Sequence, residues 1–230
     1  MRGAEFTLPM RFDADNVGEP RSGAAVELWR PPGAGPFPAV ILLHGCGGAS
    51  EHEQQWAARL AGWGYAGVIL DSYRPRLIKA RCGRSGVSAD LRAGDLANLV
   101  AFLRTVPDIM ADRIGVIGFS QGSGAALTAA LDGAGIAPPF QALVAYYPTC
   151  RLPPRNRLAV DTLILFGADD TPASIERCTQ LAAALRDTRH PAALRVYPHA
   201  THNFDGTNSE AASQSFIAAE AFLAAHLKAR

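Results

Sequence analysis

Two hydrophobic patterns alternate along this chain. Short segments such as Ala39-Val40-Ile41-Leu42-Leu43 are apolar at every position, which suits strands buried on both faces. Similar strand signals occur at Ala66 to Leu70, Arg113 to Ile117, Ala142 to Tyr146, Thr162 to Phe166 and Leu194 to Tyr197. Between them, longer segments with apolar residues at helical spacing predict helices near Glu51 to Ala61, Ala89 to Thr105, Gly122 to Leu131, Ser174 to Arg186 and Glu210 to Leu227. The stripe Leu91, Leu99, Phe102 and Leu103, and the group Trp56, Trp63 and Tyr65, read as core packing.

The opening differs. Phe6, Leu8, Met10 and Phe12 alternate with polar positions, and a turn at Gly18 to Gly23 leads to the strand-like Ala24 to Trp29, which predicts a hairpin. Strands separated by helices imply right-handed crossovers and a mostly parallel sheet covered on both faces. With no internal repeat, low-complexity tract or linker, residues 1–230 are expected to form one α/β domain.

Composition narrows the function classes. At this length, folding buries roughly 70% or more of the unfolded chain's surface, so a core needs no metal or disulfide staples. Twenty-two basic against 21 acidic residues lack the charge surplus of a nucleic-acid binder. No apolar run reaches the roughly 20 residues that span a bilayer, and Met1 to Phe6 carry no secretory hydrophobic region. The four cysteines show no CxxC or CxxC-H spacing, which argues against a zinc site, a thioredoxin motif or haem attachment.

The candidate chemistry begins at Gly118-Phe119-Ser120-Gln121-Gly122, set between the strand ending at Ile117 and a helix of small residues. A GxSxG sequence in that context predicts a nucleophile elbow, a sharp turn that presents the serine hydroxyl at the sheet's C-terminal edge. A serine needs a base to take its proton and a carboxylate to orient that base. The strand Leu163 to Phe166 runs into Gly167-Ala168-Asp169-Asp170-Thr171-Pro172, and the strand Leu194 to Tyr197 runs into Pro198-His199-Ala200-Thr201-His202. Serine, acid and histidine therefore follow in order on one edge. His44-Gly45-Cys46-Gly47-Gly48, after the first buried strand, is placed to supply an oxyanion hole from the backbone NH groups of Cys46 and Gln121.

Together with Gly35 to Val40, Asp71 to Arg76 and Tyr147 to Cys150, these motifs resemble the dienelactone hydrolase family of α/β-hydrolases from about Trp29 onward. The resemblance implies a sheet of about eight strands, no cofactor, and hydrolysis of small carboxylic esters or lactones. The type enzymes carry cysteine where this chain has Ser120, so the chain reads as a serine-nucleophile variant. It also implies His202, the histidine before x-Phe, as the base; the family usually has glycine at the His199 position. For the acid, counting from Gly167 selects Asp170, whereas counting back from Pro172 points nearer Asp169.

Five cations at Arg74, Arg76, Lys79, Arg81 and Arg84 lie within 11 residues at the same edge. They read as a solvated loop or as a site where Arg74 and Arg76 hold a substrate carboxylate. His44 is expected to bond within its own loop, and His52, His190 and His226 to be solvated. Neighbouring strands bring Cys150 near Cys178 and Cys46 near Cys82, which makes these the pairings to expect if the cysteines are bridged; four free thiols are the alternative. Such bridges would favour an exported protein over the cytoplasmic one that the chain otherwise suggests. The same triad could pass an acyl group to an acceptor other than water, and the scaffold could serve binding alone.

Overall fold

Strand β3 (Phe37–Leu43) takes the middle of the sheet, as its apolar run from Ala39 to Leu43 requires; all five residues are buried. In the computed structural model, which describes residues 5–8, 24–78, 82, 87–132, 140–152 and 157–228, β3 pairs in parallel with β4 (Ala66–Asp71) and β5 (Ile109–Phe119). Outward from β5 come β6 (Ala142–Tyr146), β7 (Asp161–Gly167) and β8 (Ala192–Tyr197), all parallel. On the other side, β2 (Ala24–Trp29) joins β4 antiparallel, and β1 (Glu5–Leu8) completes the hairpin. The order among the described residues is β1-β2-β4-β3-β5-β6-β7-β8. The expected hairpin pairs as read; its turn, with Met10 and Phe12, lies outside the described residues.

The helices are α1 (Glu51–Gly62), α2 (Ala89–Leu103), α3 (Gln121–Ala129), α4 (Pro172–Leu185) and α5 (Glu210–Leu227). A capping box starts α1: the Ser50 side chain accepts a backbone NH, and Glu53 returns a bond to Ser50 N at 2.8 Å. Its inner face buries Trp56, Ala57 and Leu60. Side chains of β5 alternate between faces. Leu223 and Leu227 of α5 pack on Gly115, whereas Gly118, on the opposite face, backs onto Ser123 of α3.

Strand order reverses at β3, because β4 and β5 lie on opposite sides of it. The loops leaving β3 and β5 therefore diverge to opposite faces and open a crevice at the strands' C-terminal ends, where open α/β sheets bind ligands.

Candidate active site

Ser120 follows β5 with φ 50° and ψ −110°, a strained conformation for a residue with a side chain. Two close approaches impose it. A Cβ on Gly118 would lie 2.6 Å from Ser123 Cα, and one on Gly122 would lie 2.1 Å from Leu43 O. Only glycine fits at either position, so the chain folds back from strand to helix with Ser120 at the apex. Ser123 Oγ secures the turn, its single proton shared between Gly118 O at 2.6 Å and Tyr146 O at 2.7 Å.

The histidine and carboxylate arrive from β8 and β7. Ser120 Oγ lies 3.0 Å from His202 Nε2, and His202 Nδ1 lies 2.7 Å from Asp170 Oδ2. The second Asp170 oxygen accepts from Thr171 N at 2.6 Å. Asp170 has a side chain only 5% exposed, while His202 is 43% exposed and open to a ligand. Asp169 contributes its backbone: its NH donates to Ala200 O at 2.9 Å, which ties the carboxylate loop to the histidine loop. His199 sits exposed in the preceding turn at φ 56°.

A cavity of about 340 Å³ lies over Ser120, lined by Gly45 to Gly48, His52, Cys82, Phe119, Tyr147, His202 and Asn203. Cys46 and Gln121 both border Ser120, Cys46 from the β3 loop and Gln121 as the first residue of α3. Among the described residues no protein acceptor takes either backbone NH. Disulfides join Cys46 to Cys82 and Cys150 to Cys178, with Cα separations of 4.9 and 5.2 Å, the two pairings expected from strand order.

The expectation for three histidines is corrected. His52 is not solvated: its Nε2 contacts Asp205 Oδ2 at 2.7 Å and its Nδ1 contacts Glu53 Oε1 at 3.2 Å. Burial alone would lower its pKa, but hydrogen bonds to the two carboxylates raise it to about 9. His190 and His226 share Asp161, each at 3.0 Å. His44 does bond within its loop, Nδ1 to Gly45 O at 2.7 Å; burial and the nearby Arg92 charge lower its pKa to about 4.

Arg76 is also committed elsewhere. Its guanidinium forks onto buried Asp95 with two 2.8 Å bonds and donates to Ser72 O at 2.7 Å. Arg74 lies beside Asp71, toward β2. Neither lines the cavity over Ser120. The buried carboxylate of Asp95 draws Arg76 inward, a partner that spacing along α2 did not announce. Lys79, Arg81 and Arg84 lie outside the described residues.

Sequence reasoning missed Asp205. It receives Tyr147 Oη at 2.7 Å, Trp56 Nε1 at 2.8 Å and His52 Nε2, three donors from two other parts of the chain. Burial and the adjacent Asp205 charge push the Tyr147 hydroxyl well above its usual pKa. No local motif marks such a convergence.

Among the described residues no group of His, Cys, Asp or Glu could hold a metal ion, and no helix is long and apolar enough to cross a membrane.

An eight-stranded, mostly parallel sheet carrying a serine on a strained strand-to-helix turn defines an α/β-hydrolase. Residues 25–228 match the model of the dienelactone hydrolase family, and the chain belongs to that family. It is accordingly a carboxylic ester hydrolase. A Synechocystis sp. protein assigned as a carboxymethylenebutenolidase is 26% identical over 219 residues, covering 82% of this chain and 86% of its own. Among solved structures, a Klebsiella pneumoniae protein assigned as a dienelactone hydrolase superposes with a TM-score of 0.78 at 22% identity, over 96% of this chain and 98% of that one. Thermogutta terrifontis esterase 2, phosphoramylated by tabun, has a TM-score of 0.72 at 15% identity, over 98% and 97%. At these identities the structural matches speak for the fold.

Proposed function

We propose that this single-domain enzyme hydrolyses small carboxylic esters or lactones through an acyl-enzyme on Ser120. The supporting observation is the unbroken line of contacts Ser120–His202–Asp170 at the floor of the cavity. His202 Nε2 takes the Ser120 proton as Oγ attacks the ester carbonyl, and returns it to the departing alkoxide oxygen. The Nδ1–H donates to Asp170, which holds the ring in the tautomer that leaves Nε2 free to accept. The backbone NH groups of Cys46 and Gln121 stabilise the tetrahedral oxyanion. Water, deprotonated by the same histidine, then releases the acid and restores Ser120.

A cavity near the small end of ligand sites, roughly 300–1,000 Å³, suits a compact acyl group. Its walls, Phe119, Tyr147 and the Cys46–Cys82 bridge, are largely apolar. The related esterase modified by tabun carries a phosphorus adduct, which recommends the same probe chemistry here. A fluorophosphonate followed by peptide mapping is expected to label Ser120, and Ser120→Ala to abolish labelling and p-nitrophenyl ester hydrolysis. Label on another serine, or undiminished hydrolysis by Ser120→Ala, would overturn the reading. With p-nitrophenyl esters of graded chain length, kcat/KM is expected to fall once the acyl chain outgrows the cavity.

A further inference from the structure

Arg92, on the second turn of α2, is fully buried, and none of the described carboxylates ion-pairs with it. Asp95, three residues further along the helix, is already engaged by Arg76. Burying a guanidinium without a carboxylate partner is costly, and an apolar side chain of similar length would fill the space without that cost. Desolvation accordingly lowers the Arg92 pKa. What the cation gains is two hydrogen bonds. Nη2 donates to the carbonyl oxygen of His44 at 2.6 Å, and Nη1 to Gln121 Oε1 at 3.2 Å. Tyr73 Oη donates to the same Gln121 oxygen, and the Arg92 guanidinium lies 5.6 Å from the Tyr73 ring.

Those two acceptors belong to the two segments that border the serine. His44 opens the β3 loop that leads to Cys46, and Gln121 is the residue after Ser120. The same His44 carbonyl stands against the elbow from its other side, because a Cβ on Gly122 would lie 2.6 Å from it. Arg92 thus joins the β3 loop to the first turn of α3, the two segments that carry the free NH groups of Cys46 and Gln121.

We propose that Arg92 is a positioning residue of the oxyanion hole. It fixes the Cys46 and Gln121 backbones relative to each other, and its buried charge, in direct ion-pair contact with none of the described carboxylates, favours the anion that forms only in the transition state. The inference rests on the acyl-enzyme reading above. Its effect acts through His44 and Gln121 rather than through contact with substrate. Such a group raises kcat rather than substrate affinity, because its gain is realised only when negative charge develops on the carbonyl oxygen.

The test uses Arg92→Met and Arg92→Lys, assayed with a p-nitrophenyl ester and with an alkylboronic acid, which forms a tetrahedral anionic adduct on a nucleophilic serine. Arg92→Met is expected to lower kcat about 10- to 100-fold with KM little changed, somewhat less than the loss of an oxyanion donor itself. Boronate affinity should fall by the same factor as kcat/KM, and Arg92→Lys should recover part of both. Should Arg92→Met fail to fold, Gln121→Met removes the shared acceptor while keeping the backbone NH, and the same parallel loss is expected at smaller size. A folded Arg92→Met, or in its place Gln121→Met, with kcat/KM and boronate affinity both within twofold of wild type overturns the proposal. A loss of kcat with boronate affinity unchanged also overturns it. Fluorophosphonate labelling of the wild-type protein separates the two levels: a label away from Ser120 overturns the acyl-enzyme reading and this inference with it. A label on Ser120 beside an unaltered variant overturns only the role of Arg92.

Discussion

The ring of Tyr147 lies 4.5 Å from the imidazole of His202, centroid to centroid, while its hydroxyl is held by Asp205. Asp205 is three residues beyond His202, so the loop that carries the histidine is anchored twice, through its own backbone and through the ring that packs on it. His202 is exposed to solvent, and this packing restricts a side chain that few other contacts enclose.

Removing the Asp205 charge should therefore cost stability and histidine geometry together. Asp205→Asn leaves the His52 imidazolium with one carboxylate instead of two, and breaking a buried ion pair costs about 3–5 kcal/mol. Tyr147→Phe keeps the ring and loses only one bond to Asp205, so its expected cost is about 1–3 kcal/mol. Chemical denaturation of the two variants checks the order: Asp205→Asn is expected to be the less stable. A Tyr147→Phe protein equal to or worse than Asp205→Asn would remove the anchoring argument.

The adjacent aspartates should separate cleanly. Asp170 contacts His202, and Asp169 contributes its backbone to the loop. Replacing the carboxylate of a serine triad by an amide favours the wrong histidine tautomer and lowers kcat roughly 10⁴-fold. Asp170→Asn is expected to show a loss of this kind, and Asp169→Asn to stay within a few-fold of wild type. The reverse outcome on one ester would reassign the acid.

The two disulfides should differ in consequence. Each closes a loop long enough for a contribution of about 2–4 kcal/mol to stability. Cys150→Ser with Cys178→Ser is expected to lower the unfolding temperature while leaving kcat near wild type. Cys46→Ser with Cys82→Ser should lower both, because Cys46 carries one of the NH groups beside Ser120. Thermal unfolding and ester kinetics on the two double variants measure this, and equal kcat in both would show that the oxyanion loop does not depend on its bridge.

Two histidines set opposite limits on pH stability. His52 has its folded pKa raised to about 9 by Asp205 and Glu53, so its contribution is complete below its unfolded value of about 6.5. That contribution is lost progressively as pH rises toward 9. His44 has its folded pKa lowered to about 4, so its contribution is complete above about 6.5 and is lost as pH falls toward 4. Unfolding temperatures across pH 4 to 10 are expected to peak between these limbs, and His52→Gln to flatten the alkaline limb selectively. An alkaline limb unchanged in His52→Gln would contradict the assignment.

Wherever local chemistry leaves one solution, the sequence carried it. An unbroken apolar run such as Ala39 to Leu43 has to be covered on both faces, so the parallel sheet, the helices and the elbow at Ser120 were legible before any coordinates. The glycines at 118 and 122 were equally plain, because a turn that tight excludes a side chain. The order serine, carboxylate, histidine could be read from strand ends, since each residue sits just past a run whose direction is set by the parallel sheet; preferring His202 to His199 rested on the family resemblance.

Tertiary structure decided the matters that depend on distance between separate segments. That Asp170 rather than Asp169 contacts His202 turns on which carboxylate reaches across from β7 to the loop after β8, a matter of loop path rather than residue type. Arg76 was drawn to Asp95, 19 positions away, although its surroundings in sequence read as a basic surface loop. His52 joined Asp205 across 153 positions, and Arg92 reached His44 across 48, neither with any periodic signal. A buried charge takes whatever partner the packed core brings within hydrogen-bonding distance, and periodicity along one element reports only that element's faces. The sequence determined the sheet and the elbow that carries Ser120; packing decided which charges stand behind them.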